Sequence, residues 1–245
     1  MSKENVSNKI IALKNVELLV SAMHDVINSP SHLPKFVVYS GYSGYGKSYS
    51  AIFAMNKFDC AYVEIGASWG ISHLLDNILK ELGTTTKEKT IAKKMEVVIE
   101  ALSISNKPLI LDEVDHIVKP RALDIIREIH DATNIPIVLI GEELLGKKLE
   151  SFERVSNRCL RWISAEPVSL EDTRHLASLY VPKIKIADDL LSKLVKLSQG
   201  RVRRVAVNLE LLKNEAILNG WTEIDLKTWG NKQLYTGNAP TPRRI

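Results

Sequence analysis

Up to about residue 167, apolar positions along the chain switch between short continuous runs and helical spacing; beyond it only the helical spacing persists. Ile11, Val16, Leu19, Val20 and Met23 fall near one face of a helix predicted over 10–27, and NSPSHLP (28–34) ends it. FVVYS (36–40) predicts a buried strand, and a helix follows over 48–58 with Ala51, Ile52, Ala54 and Met55 apolar. CAYVEI (60–65) is a second strand. ISHLLDNILKELG (71–83) is an amphipathic helix stopped by Gly83, TTTKEKT (84–90) a polar connector, and 91–104 another helix. KPLILDEVDHI (107–117) is a short strand running into acids, 121–132 is helical, IPIVLIG (135–141) is a fourth strand and CLRWI a fifth. This alternation predicts an α/β fold, a parallel sheet with helices on both faces. After Pro167 the segments 170–180, 187–198, 202–218 and 224–229 are all helical in pattern, predicting a small all-helical lid. The expected division is a helical lead-in over 1–35, a core over 36–167, the lid over 168–230 and a tail over 231–245.

Composition changes this picture little. The 245 residues are 45% hydrophobic and 25% charged, ample for a core. No apolar run approaches the roughly 18 residues of a membrane span. The first residues, MSKENVSNK, have no signal-peptide core, so a cytoplasmic location and no membrane partner are expected. Cys60 and Cys159 lack metal spacing and read as reduced core thiols. Charge is uneven: from Val168 onward 13 Lys+Arg face 8 Asp+Glu, while the rest is near neutral. A basic C-terminal portion is compatible with an anionic partner.

The sharpest chemical signal is GYSGYGKS (41–48), which matches G-x-x-x-x-G-K-[ST] through Gly41, Gly46, Lys47 and Ser48. It follows a predicted strand and opens a predicted helix, the context that gives the match meaning. Glycines let backbone N–H groups turn inward into an anion site, and the helix N-terminus adds partial positive charge. Gly41, Tyr42, Ser43, Gly44, Tyr45, Gly46, Lys47, Ser48 and Tyr49 are therefore the expected nucleotide-binding run. Lys47 would reach the outer phosphates of ATP and the Ser48 hydroxyl would hold Mg2+. Main-chain amides do the binding at the variable positions, so Tyr42 and Tyr45 are expected to cover the nucleotide or touch a neighbour.

A phosphate loop needs a metal-binding carboxylate on an adjacent strand, and LILDEVDH offers Asp112 and Glu113 at a strand's C-terminal end, where open parallel sheets bind ligands. Asp112 fits a ligand of Mg2+ and Glu113 a residue that polarises an attacking water. Rival schemes are poorer. The six histidines form no metal cluster. GASWG (66–70) spells a hydrolase elbow around Ser68, but its partners, Asp112 and His116, lie on the segment the phosphate loop already claims.

GYSGYGKS, LILDEVDH, the strand IVLIG and a helical C-terminal part together resemble an AAA+ ATPase, from about residue 10 to 229. Within that group the chain looks most like transposition proteins of the phage Mu B type, through IALKNVELLV and YVEIGASWGISHLLDNILKELG. The resemblance implies a P-loop AAA+ core with a helical lid, slow DNA-stimulated ATP hydrolysis, ATP-dependent homo-oligomers (ring or filament), sequence-tolerant binding to double-stranded DNA, and delivery of that DNA to a transposase. It also implies further site residues. Glu142 stands where the polar sensor of the fourth strand usually stands; a carboxylate there is repelled by a triphosphate, or else simply opens the EELLGKKL helix. Arg158, with Arg154 second, is the candidate finger reaching a neighbouring subunit's ATP, and Arg203, with Arg204 its rival, the candidate lid arginine.

Lys87, Lys89, Lys93 and Lys94, then Lys119 and Arg121, are the expected contacts to DNA phosphates, because the related target selectors track DNA with the region after the second strand. The nine residues before Ile10 are too few for the separate N-terminal DNA-binding module of Mu's own protein. A helicase loader of replication and a protein-remodelling or signalling ATPase without nucleic acid remain alternatives. Loaders normally carry a helicase-binding extension, and unfoldases an aromatic pore loop where this chain is rich in lysine and threonine.

Overall fold

Five apolar runs become one parallel sheet, and their burial follows their place in it. The computed structural model describes residues 13–239; residues 1–12, which include the first three of the predicted first helix, and the last six residues of the predicted tail lie outside them. Helix α1 (Lys14–Ile27) precedes β1 (Phe36–Ser40), α2 (Lys47–Phe58), β2 (Ala61–Glu64), α3 (Ile71–Glu81) and α4 (Ile91–Ser105). Then come β3 (Leu109–Asp112), a 3-10 turn (Val114–Ile117), α5 (Pro120–Thr133), β4 (Ile137–Gly141), the short helices α6 (Leu145–Glu150) and α7 (Glu153–Ser156), and β5 (Cys159–Ser164). The strand order is β2-β3-β4-β1-β5, with every pair parallel. The central strands β1, β3 and β4 are buried at every residue, as strands covered on both faces must be, while β2 and β5 at the edges keep exposed positions. Phe36 and Val38 face the core that holds Leu74, Ile78, Val98, Leu102 and Ile126. Val37 and Tyr39 alternate to the opposite face, where the Tyr39 hydroxyl donates to the Asn15 carbonyl of α1.

Two helices fill the crossover from β2 to β3. Thr90 caps α4 by accepting from the Lys93 N–H at 3.3 Å. Lys94 in the first turn of α4 reaches Ser72 and Asp76 in the first turns of α3, so the two helices start side by side. α3 leaves the C-terminal end of β2, which puts the start of α4 at the same sheet edge as the 41–48 loop.

The chain divides into two compact units. Asn15–Ser43 and Lys47–Ala165 form one; Gly44–Gly46 group with Glu166 and the residues after it. The second unit contains α8 (Leu170–Tyr180), β6 (Lys185–Ile186), α9 (Asp188–Ser198), α10 (Val202–Asn219), β7 (Glu223–Ile224) and α11 (Leu226–Trp229). It is not all-helical as the pattern predicts: β6 and β7 pair in parallel, Ile186 opposite Ile224. Ile224 is fully buried in that ladder rather than opening a helix, and Asp225 caps α11 by accepting from the Thr228 N–H. A Ser169–Asp172 capping box starts α8.

Candidate phosphate site

The 41–48 turn leaves the C-terminal end of β1 and runs into α2, whose first residue is Lys47. Gly46 sits at φ +89°, a left-handed backbone that a side chain strains. The Lys47 ammonium donates to the carbonyls of Gly41 (2.6 Å) and Tyr42 (3.1 Å), so it lies over the loop's own entry. Burial lowers its pKa, and the carboxylates of Glu113, Asp112, Glu142 and Asp115 act against that shift. One half-buried cation therefore shares its field with four acids from the exits of β3 and β4. Ser48 is exposed at the start of α2.

Asp112 is 1% exposed, at the last position of β3. Its Oδ1 accepts from the Glu113 N–H at 2.8 Å and its Oδ2 from the Tyr62 hydroxyl at 3.0 Å. Tyr62 pairs with Ile110 in the β2–β3 register and so shares the face of Asp112 two residues on. Burial and the neighbouring carboxylate push the phenol strongly upward, keeping it a donor. Glu113 has φ +56°, a left-handed conformation rare for a side-chain-bearing residue and concentrated at functional sites. Its carboxyl is raised above the usual range, first by burial and then by Asp112, with Lys47 opposing. Tyr62 and the Glu113 N–H thus orient the two oxygens of Asp112, and Ser68 lies exposed in its turn. Among the described residues no group of His, Cys, Asp and Glu is arranged as a metal cluster.

One placement differs from expectation. The strand carrying Asp112 is not adjacent to β1: β4 lies between them. The end of β4 thereby enters the site, and Glu142 follows it, exposed, three residues before α6 rather than in its first turn. The donor set fits a magnesium triphosphate: a buried carboxylate already oriented by two donors, a hydroxyl at a helix start, a desolvated lysine and a positive-φ turn.

Tyr42 and Tyr49 are exposed, 54% and 37%. Tyr45 belongs with the second unit, its hydroxyl 3.4 Å from where a Cβ on Gly200 would stand. Within that unit the side chain of Arg201 lies 3.3 Å from the corresponding point on Gly44. Arg203 is exposed on α10, and Arg204 donates to Gln199 at 3.0 Å. Arg201 thus packs on Gly44.

Arg158 is committed within the chain. It grips Asp131 through two hydrogen bonds (2.5 and 2.7 Å) and donates to the Arg154 carbonyl at 2.6 Å, and this pairing holds the Asp131 carboxyl below its usual range. The Arg154 side chain is 75% exposed, 3.5 Å from Asp124. Arg154 is the freer of the two to meet another molecule.

The expected DNA set also loses a member. Lys94 is 8% exposed and bound to Asp76 at 2.5 Å and Ser72 at 2.9 Å. Lys87, Lys89, Lys93, Lys119 and Arg121 are exposed, Lys93 within 3.6 Å of Glu88. Asp76 is half exposed, so the cost of breaking the Lys94 pair falls below that of a fully buried one. Lys94→Ala is expected to destabilise the protein by about 1–3 kcal/mol, several degrees in thermal midpoint, with DNA affinity unchanged. Lost DNA affinity at unchanged stability would return Lys94 to the phosphate-binding set.

With this geometry in hand, comparison with known proteins is informative about fold. The family model described as an AAA domain matches residues 31–149. No curated protein sequence matches the chain. Among solved structures it is similar to an Orc1 protein of Aeropyrum pernix in complex with DNA, with TM-score 0.63 and 16% identity, covering 84% of this chain and 60% of that one. It is also similar to Cdc6p of Pyrobaculum aerophilum, with TM-score 0.63 and 14% identity, covering 85% and 62%. A third is a signal-transduction ATPase of Pyrococcus horikoshii with a tetratricopeptide-repeat sensor, with TM-score 0.51 and 14% identity, covering 76% and 28%. The chain spans about 60% of the length of the first two. The fold is the α/β P-loop AAA+ fold. Among the described residues no helix is long and apolar enough to cross a membrane.

Proposed function

We propose that this AAA+ fold binds and slowly hydrolyses magnesium ATP, that ATP switches it into homo-oligomers on double-stranded DNA, and that these deliver the DNA to a transposase. The observation that carries the nucleotide reading is the convergence of Lys47 with Asp112 and Glu113 at one sheet edge. Asp112 and Ser48 would hold Mg2+, which neutralises developing charge on the phosphates. Loop amides and Lys47 bind the phosphates. Glu113 orients the attacking water and accepts its proton, a task suited to a carboxyl raised above its ordinary range. Arg154 is the residue proposed to reach a neighbouring copy, in a head-to-tail contact that closes a ring or winds a filament.

DNA is the proposed macromolecular partner because Lys93, Lys119 and Arg121 follow the same strand ends as the phosphate site, with Lys87 and Lys89 in the connector before them. The Aeropyrum relative in complex with DNA supports that partner class and equally suits a replication role, the second reading. Lys and Arg on phosphates confer affinity without sequence choice. Replacing Lys87, Lys89 and Lys93 together by alanine is expected to weaken all duplex sequences alike. It should also flatten the salt dependence of log K by about one unit for each DNA phosphate no longer neutralised. An unchanged slope removes these lysines from the interface. Electron microscopy with duplex DNA tests the whole reading. Assemblies on DNA only with a non-hydrolysable ATP analogue support it, and assemblies indifferent to nucleotide contradict it.

A further inference from the structure

Asp115, three residues beyond Asp112, is used by none of the chemistry above, yet it ties together the two strand ends that frame the site. Its side chain is 10% exposed. One oxygen accepts the backbone N–H of Glu142 at 2.6 Å, and the other accepts from the Lys148 ammonium of α6 at 2.7 Å. The approach requires glycine at 141: a Cβ there would overlap Asp115 Oδ2 and press on Leu145. The turn after β3, the residue that ends β4 and the helix after β4 are thus fastened at one carboxylate. Both Asp115 and Glu142 lie close enough to Lys47 for their charges to favour its protonated form.

We infer that Asp115 is a positioning residue that sets the β4 exit, and with it the Glu142 carboxylate, relative to Lys47. This inference rests on the nucleotide reading above and deepens it. Lys148 holds the second oxygen, so that the carboxylate offers Glu142 one fixed acceptor. Without the tie, Glu142 is free to approach the triphosphate or withdraw from it, which disturbs the reacting geometry more than the grip on the nucleotide.

The test pairs kinetics with a measurement on the nucleotide-free protein. Asp115→Ala is expected to lower kcat by about tenfold to a hundredfold, with KM for magnesium ATP within about twofold of the parent. In the same variant, hydrogen exchange of the peptide covering 141–145 should rise about fivefold or more without nucleotide. Asp115→Asn keeps an acceptor for the Glu142 N–H but turns an amide toward Lys148, so combining it with Lys148→Met should restore much of the lost kcat and the protection. Unchanged exchange at 141–145 in Asp115→Ala, or no rescue by the double variant, overturns the inference. Absence of ATP hydrolysis by the parent protein would instead overturn the nucleotide reading, and the exchange measurement would still decide the role of the tie.

Discussion

Lys47→Ala is expected to abolish magnesium ATP binding at working concentrations, weakening it by about a hundredfold or more. The argument is electrostatic. Lys47 is a side-chain cation within the field of the carboxylates of Asp112, Glu113, Asp115 and Glu142, and burial lowers its pKa. Its removal leaves a net negative site that repels a triphosphate as well as lacking its donor. The fold should be spared. The ammonium's partners within 3.1 Å are two carbonyls of its own loop, and its partial burial costs the folded state free energy. A fluorescent ATP analogue and a thermal melt on the same sample separate the outcomes: lost binding at unchanged midpoint is expected, and retained binding contradicts the assignment. If nucleotide drives assembly, nucleotide-dependent oligomers disappear in the same variant.

Glu113→Gln is expected to act oppositely on binding and turnover. Removing a general base costs about 10²–10⁴ in rate, so hydrolysis falls to background while ATP stays bound. The proposed function adds that complexes with DNA then persist. The pH dependence of stability provides a signature independent of turnover. The folded-state pKa of Glu113 is raised, so ionisation disfavours the folded state. That penalty is absent in acid, grows as pH rises from the ordinary value of about 4.3, and is complete above the raised folded-state pKa. Glutamine carries no charge at any pH. The variant should therefore melt above the parent at neutral pH, and the gap should close toward pH 4. A gap that widens in acid would mean that the glutamate is stabilised by its surroundings rather than poised as a base.

The local code of this chain was legible to the degree that it is local. Mostly apolar runs at 36–40, 109–112 and 137–141 became strands buried on both faces, and the turn at 41–48 announced itself by glycine spacing. The order of the strands did not follow from any of these runs, since periodicity carries no pairing information; hence β4 between β1 and β3. The β6–β7 ladder has two residues per strand, too short for a period of two to register. Lys94 was readable after all. It falls with Ile91, Met95, Val98 and Leu102 on the inward stripe of α4, where a charge demands a partner, and that partner is Asp76.

At the site, the residues that would touch the nucleotide were legible and those that hold them were not. Lys47, Ser48, Asp112 and Glu113 carry motif spacing. Tyr62 reaches Asp112 only because β2 and β3 pair in one particular register. Asp115 is the last acid of DEVDH, and its use became apparent only once the glycine at 141 and Lys148 stood beside it. Arg158 matched an expected position in sequence but is spent on Asp131, 27 residues away along the chain. Arginines are assigned by partner, and partners are tertiary.

The central claim is that a triphosphate and its magnesium are bound by the loop around Lys47 and by the acids that begin at Asp112. Titration calorimetry of ATP into the protein, with magnesium and then with a chelator, addresses it directly. Saturable heat with magnesium that weakens on chelation, and loses its magnesium dependence in Asp112→Asn, is the result expected. No heat at millimolar magnesium ATP would contradict it.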